Sequence, residues 1–133
     1  MKRRSIIKFT TLLLVCCAML GCEKQNVEPE PEIVTKIYGT VFDEQTGEPV
    51  QGACVQFLID NSYYGTGSDA QIISSSVSGT DGQYEISFGK LPKLPYSYSQ
   101  YAIKVTCNGY FSEFTHISIV QGNLHCMDFN LTK

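Results

Sequence analysis

The chain has 133 residues, room for one domain, and carries ten Lys and Arg against thirteen Asp and Glu, with six Cys and no Trp. Lys2, Arg3, Arg4 and Lys8 stand before Gly21 without an acid, and the remainder sets six Lys and no Arg against all thirteen acids, a balance near −7. Without clustered Lys and Arg to neutralise phosphate, nucleic acid is excluded as a partner, and no basic run is present to hold a soluble domain on an anionic membrane.

The first element is a targeting segment. MKRRSIIKFTTLLLVCCAMLGC joins a basic start to an apolar stretch from Thr11 to Leu20, short for a bilayer span and of the length of a secretory signal. Its end, Met19-Leu20-Gly21-Cys22, resembles the bacterial lipobox. That resemblance implies cleavage between Gly21 and Cys22 and acylation of Cys22 by several chains, enough for stable anchoring where one chain is marginal. A plain signal peptide with an incidental cysteine is the alternative. Residues 1–21 are then signal peptide, and Cys16 and Cys17 leave with it. Residues 22–35 form an acidic, Pro-rich tether, because the alternating Glu and Pro of Glu28 to Glu32 favour an extended, solvated chain. The implied location is the cell envelope, as a Gram-negative outer-membrane lipoprotein facing the periplasm or displayed outward.

Residues 36–133 read as the folded domain. Ile37 to Phe57 predicts two strands around a tight polar turn: Ile37, Gly39 and Val41 share one phase, Ala53, Val55 and Phe57 another, and Asp43 to Pro49 supplies turn chemistry. Asn61 to Ala70 is a Gly- and Ser-rich loop carrying Tyr63 and Tyr64. Gln71 to Ser78 is an edge strand of small polar residues, and Gly79-Thr80-Asp81-Gly82 closes a hairpin into the alternating Tyr84, Ile86 and Phe88. Pro92 and Pro95 make Gly89 to Gln100 a crossing loop, which bears Tyr96 and Tyr98. Ala102 to Cys107 is a strand, Asn108-Gly109 a type I′ turn, and Tyr110 to Val120 a strand with Ile117 and Ile119 inward. After a turn at Gln121-Gly122-Asn123, Leu124 to Leu131 closes the domain with Met127, Phe129 and Leu131 in phase. Short strands at regular spacing with turn residues at each break predict an all-β fold, a seven-stranded antiparallel β-sandwich.

Gly39-Thr40-Val41-Phe42-Asp43, Thr46-Gly47-Glu48-Pro49-Val50 and Gly52-Ala53-Cys54-Val55 together resemble the opening of the carboxypeptidase regulatory-like domain. Gly82-Gln83-Tyr84 and the stretch from Val105 to Gly109-Tyr110 resemble its later turns, so the likeness covers Lys36 to Leu131. It implies a transthyretin-like, Greek-key sandwich acting as a non-catalytic accessory module, of the kind seen in secreted peptidases, outer-membrane transporters and small lipoproteins. It implies no active-site residues and no cofactor.

The residues that bear chemistry are few. Cys54, Cys107 and Cys126 are an odd number for an oxidising compartment. Reduced, partly buried thiols are expected, with Cys54 and Cys126 the better pair for a bridge because they share an outward phase. His116 and His125 are the only histidines; adjacent strand residues such as His125 and Cys126 point to opposite faces, a poor start for zinc. Asp43, Glu44 and Asp69 would meet a calcium ion only if their loops converged. No nucleophile elbow or paired-carboxylate pattern suggests an enzyme, and a small hydrolase is the weakest reading. Exposed tyrosines are the functional lead: Tyr63, Tyr64, Tyr96 and Tyr98 either bind a glycan or an envelope protein, if the two loops share an end, or pack over the ends of a small core.

Overall fold

The computed structural model describes residues 33–133; the signal peptide, Cys22 and nearly all of the tether expected at 22–35 lie outside them. Eight strands follow one another: β1 Thr35–Asp43, β2 Cys54–Asp60, β3 Ala70–Val77, β4 Gln83–Phe88, β5 Gln100–Thr106, β6 Glu113–His116, β7 Leu124–Cys126 and β8 Phe129–Leu131. One sheet is ordered β4-β1-β7, with β8 also paired to β1, and the other β3-β2-β5-β6. Period-two patterning turns one face of each sheet inward. Ile37 and Val41 of β1, Tyr84 and Ile86 of β4, and Phe129 and Leu131 of β8 meet Val55 and Phe57 of β2 and Ile103 and Val105 of β5. The fold is an all-β sandwich. Phe57 lies fully buried between the layers, stacked on Phe88 at 4.7 Å and tilted against Tyr101 at 5.7 Å.

The first sheet is mixed where a purely antiparallel one was expected. β1 pairs in parallel with β7 (Tyr38↔Cys126) and with β8 (Val41↔Phe129), at one constant offset on either side of Met127-Asp128. The single closing strand expected over Leu124 to Leu131 is therefore interrupted without a change of register, which makes eight strands of seven. At the break the Met127 N–H donates to the Tyr38 carbonyl at 2.8 Å, and Asp128 Oδ1 accepts the Thr40 N–H at 2.8 Å in place of the missing ladder bond. The Met127 carbonyl turns inward over Gly39 and takes the Tyr84 hydroxyl at 2.6 Å. Only glycine fits there: a Cβ on Gly39 would lie 1.9 Å from that carbonyl oxygen.

Three expected hairpins turn out differently. After β1 the chain folds back on itself, with Asp43 N–H bonded to Glu48 O and Val50 N–H to Val41 O, but the returning limb stops at Val50 and crosses at Gly52 (φ 81°) to start β2 in the other sheet. Buried Ser78 fastens this crossing, donating to Val50 O at 2.7 Å and accepting the Ala53 N–H at 2.9 Å. β3 is an edge strand as expected, yet it pairs with β2 and not with β4, so Gly79 to Gly82 also carries the chain between sheets. Asn108-Gly109 is not a type I′ turn, which needs positive φ at both residues. Among the described residues no non-glycine has positive φ; Gly109 alone supplies it (83°), closing a Cys107 to Tyr110 turn. β6 is correspondingly short, and Ile117 and Ile119 beyond it still pack against the core.

Candidate functional site

Strand direction assigns every connection to one of two ends. Gln100 of β5 lies opposite Asp60 of β2, and Thr35 of β1 opposite Phe88 of β4. The 61–69 loop, the 89–99 loop and the start of β1 therefore gather at one end. Ser99 joins the two loops, donating through Oγ to Asn61 Oδ1 at 2.7 Å while its own N–H reaches Tyr96 O. The Tyr101 hydroxyl donates to Pro92 O, and the Leu91 N–H to Gln121 Oε1 at 3.3 Å. The Gly122 N–H donates to Thr35 Oγ1 at 2.8 Å.

All four tyrosines singled out in the sequence meet here. Tyr64 packs edge-on against Tyr63 at 5.1 Å, Tyr63 against Tyr98 at 5.3 Å, and Tyr98 lies parallel to Tyr96 at 5.2 Å with an 8° interplanar angle. These spacings suit favourable ring–ring contact. The rings are not core: Tyr64 is 86% exposed, Tyr63 72%, Tyr96 52% and Tyr98 37%. They form a continuous aromatic ledge drawn from two loops.

What holds the ledge is a buried acid that sequence reasoning did not single out. Asp60, 1% exposed at the end of β2, accepts the Ser62 N–H at 2.9 Å and the Ser62 hydroxyl at 2.5 Å through Oδ1. Its Oδ2 takes the Gly67 N–H at 3.2 Å and lies 2.8 Å from His116 Nε2. Ser62 Oγ in turn accepts the Thr66 and Gly67 N–H groups. Burial pushes the Asp60 carboxyl upward, but the hydrogen bonds from Ser62, His116 and Gly67 outweigh it and hold the group below the ordinary carboxylate range. The loop then lies flat on β6. A Cβ at Gly65 would sit 3.0 Å from the His116 ring and one at Gly67 3.0 Å from the Phe114 ring, and both glycines have positive φ. The local signal was Asp-x-Ser at a strand end; the long-range one, His116, was not visible.

Aspartate, serine and histidine here do not make a catalytic relay. In such a relay the imidazole stands between hydroxyl and acid and takes the hydroxyl proton. In this loop the carboxylate stands between the other two, and the Ser62 hydroxyl donates to it directly. His125 takes no part in this pair; its Nε2 lies 3.3 Å from the Val120 backbone. Asp43, with Glu44 next to it, sits at the opposite end from Asp69, its carboxylate occupied by Gln45 and Thr46 N–H, the Tyr110 hydroxyl and Lys133. Among the described residues no group of three His, Cys, Asp or Glu converges as a metal site, and no buried side-chain polar atom lacks a partner. Cys54, Cys107 and Cys126 are free. The pairing considered for Cys54 and Cys126 fails because β2 and β7 belong to different sheets and both side chains face out, on opposite sides of the sandwich.

No family model matches the chain, and no curated protein does. Solved structures do. Chlorocatechol 1,2-dioxygenase from Pseudomonas putida superposes with a TM-score of 0.51 at 15% identity over 80% of this chain and 63% of that one. The Bacillus anthracis TIE protein gives 0.51 at 17% identity over 76% of this chain and 18% of that one. The dioxygenase domain of a dioxygenase and carbohydrate-binding fusion from Streptomyces sp. SirexAA-E gives 0.51 at 14%, over 80% and 84%. The chain spans less than two thirds of the first two proteins. The likeness is one of fold.

Proposed function

We infer that the protein is a lipid-anchored, non-catalytic module of the cell envelope that works by binding, and that its contact surface is the tyrosine ledge. The observation that carries this reading is the convergence of Tyr63, Tyr64, Tyr96 and Tyr98 from two separate loops into one exposed row. Exposed aromatic rings with few rotatable bonds and a polar rim are efficient binding groups, and these are braced from beneath by Asp60, Ser62 and Ser99. The lipobox-like Met19-Leu20-Gly21-Cys22 and the Glu-Pro tether support the anchoring, and the likeness to carboxypeptidase regulatory-like domains supports an accessory role.

Two experiments test it. Cells fed a tagged fatty acid should yield labelled protein, and Cys22→Ser should abolish the label; an unlabelled wild-type product contradicts the anchoring. Replacing all four tyrosines by Ala should reduce capture of envelope material by the purified protein at least about tenfold, the loss expected when a central aromatic cluster is removed. Unchanged capture contradicts the ledge. A second reading, a surface lipoprotein that binds glycans, is favoured by the exposure of the rings, above all Tyr63 and Tyr64, since exposed aromatic rings suit sugar stacking. A glycan array with wild-type and four-Ala proteins decides it.

A further inference from the structure

The described chain enters the sandwich at the ledge end. Thr35 begins β1 there, bound to Gly122, and Ile33 lies against Gly122 with 3.2 Å between its Cγ2 and the position of a Cβ on that glycine. From Cys22 to Thr35 is thirteen residues, at most about 45 Å of extended chain. A surface that holds Cys22 is therefore no farther from Thr35 than that length, and a tether this short raises the effective concentration of any weak contact between that surface and the domain.

Among the described residues charge separates along the same axis. At the far end Glu44, Glu48 and Asp81 are exposed, and Asp43 is shared with Lys133. At the ledge end Asp60 is buried against His116 and Lys36 is paired with Glu85 at 3.0 Å. That leaves, among the described residues of this end, Lys90 and Lys93, both exposed in the loop that carries Tyr96 and Tyr98, against one exposed acid, Asp69; Glu28, Glu30 and Glu32 precede Ile33 in the tether. Leu94 (39% exposed), Ile33 and Val34 add apolar surface to this end. Tyrosines flanked by lysines and scattered aliphatic side chains are the composition of protein surfaces at a membrane–water interface. The sequence shows no basic run, because the two lysines matter only once the fold sets them beside rings from another loop.

We propose that the ledge, with Lys90 and Lys93, seats the sandwich on the headgroup layer of the membrane that holds its own anchor, turning the acidic end away from the lipid. The proposal rests on the anchoring reading above and names the partner of the same surface. Since the chain has no Trp, one indole reports position without background. Full-length mature protein with Tyr64→Trp, and separately with Glu48→Trp, is reconstituted into phosphatidylethanolamine and phosphatidylglycerol vesicles whose acyl chains carry bromine. Both sites are exposed and outside the buried core, so both variants keep the sandwich, and at Tyr64 an indole replaces a phenol as the aromatic neighbour of Tyr63. Bromolipid should quench the Tyr64→Trp indole by roughly half and leave the Glu48→Trp indole unchanged, as expected when only one end lies at the interface. Adding Lys90→Glu and Lys93→Glu should reverse the quenching. Protein that floats with the vesicles but shows no quenching at Tyr64→Trp overturns the seating while leaving the anchoring intact; a positive glycan array in that case gives the ledge to a sugar. Protein that neither floats nor carries acyl chains overturns both.

Discussion

Two carboxylates show how single residues set the two ends of the molecule. Asp60 accepts from Ser62 twice, from Gly67 and from His116, in a place where water cannot substitute. Asp60→Ala should cost about 3 kcal/mol, the upper range for stranding buried polar partners, measurable as a lowered urea midpoint; an unchanged midpoint contradicts the bracing role. Asp43 is held down to about 2 by the Tyr110 hydroxyl, against burial, with help from the Thr46 and Gln45 N–H groups and Lys133. Its folded value lies below the ordinary 3.8, so the stability it contributes is present above about pH 4 and disappears as pH falls from there to about 2. Urea midpoints should drop over that window in the wild type, and Asp43→Asn should flatten the drop. A variant with the wild-type pH profile contradicts the assignment. Asp43 was legible as a turn residue because its partners Gln45 and Thr46 are local. Asp60 was not, because His116 is 56 residues away.

At the scale of elements, the backbones of β1 and of the β7–β8 break approach closely beside β4. Gly39 makes room for the Met127 carbonyl, and Tyr84, directly opposite Gly39, satisfies it. Burial and the nearby charge of Asp128 push the Tyr84 phenol upward, so it stays protonated as the donor. Tyr84→Phe should cost about 1–2 kcal/mol by leaving a half-buried acceptor unpaired. Gly39→Ala should cost about 3 kcal/mol or more, since backbone must move; if its melting temperature equals that of the wild type, the close approach is wrong. The strands facing the core were readable from period-two alternation, and the edge position of β3 from its run of small polar residues. Which sheet each strand joins was not. Crossing at Gly52 and at Gly82 looks the same in sequence as a hairpin, because both need the same positive-φ glycine, and only the buried Ser78 staple between Val50 and Ala53 separates the two.

Across the described residues, the arrangement places the start of β1, Lys90, Lys93 and the tyrosines at one end and most of the exposed acids of the connections at the other. The tyrosines were identifiable as loop residues from their Gly-, Ser- and Pro-rich surroundings. Their union into one ledge depends on Gln100 pairing opposite Asp60, a register no local pattern specifies. The most direct test places a photo-crosslinking amino acid at Tyr64 and, in a second strain, at Glu48, and irradiates intact cells. Expected is covalent attachment of envelope material, lipid above all, at Tyr64 and little or none at Glu48. Equal labelling at the two positions, or labelling confined to Glu48, would contradict a binding surface at the tethered end.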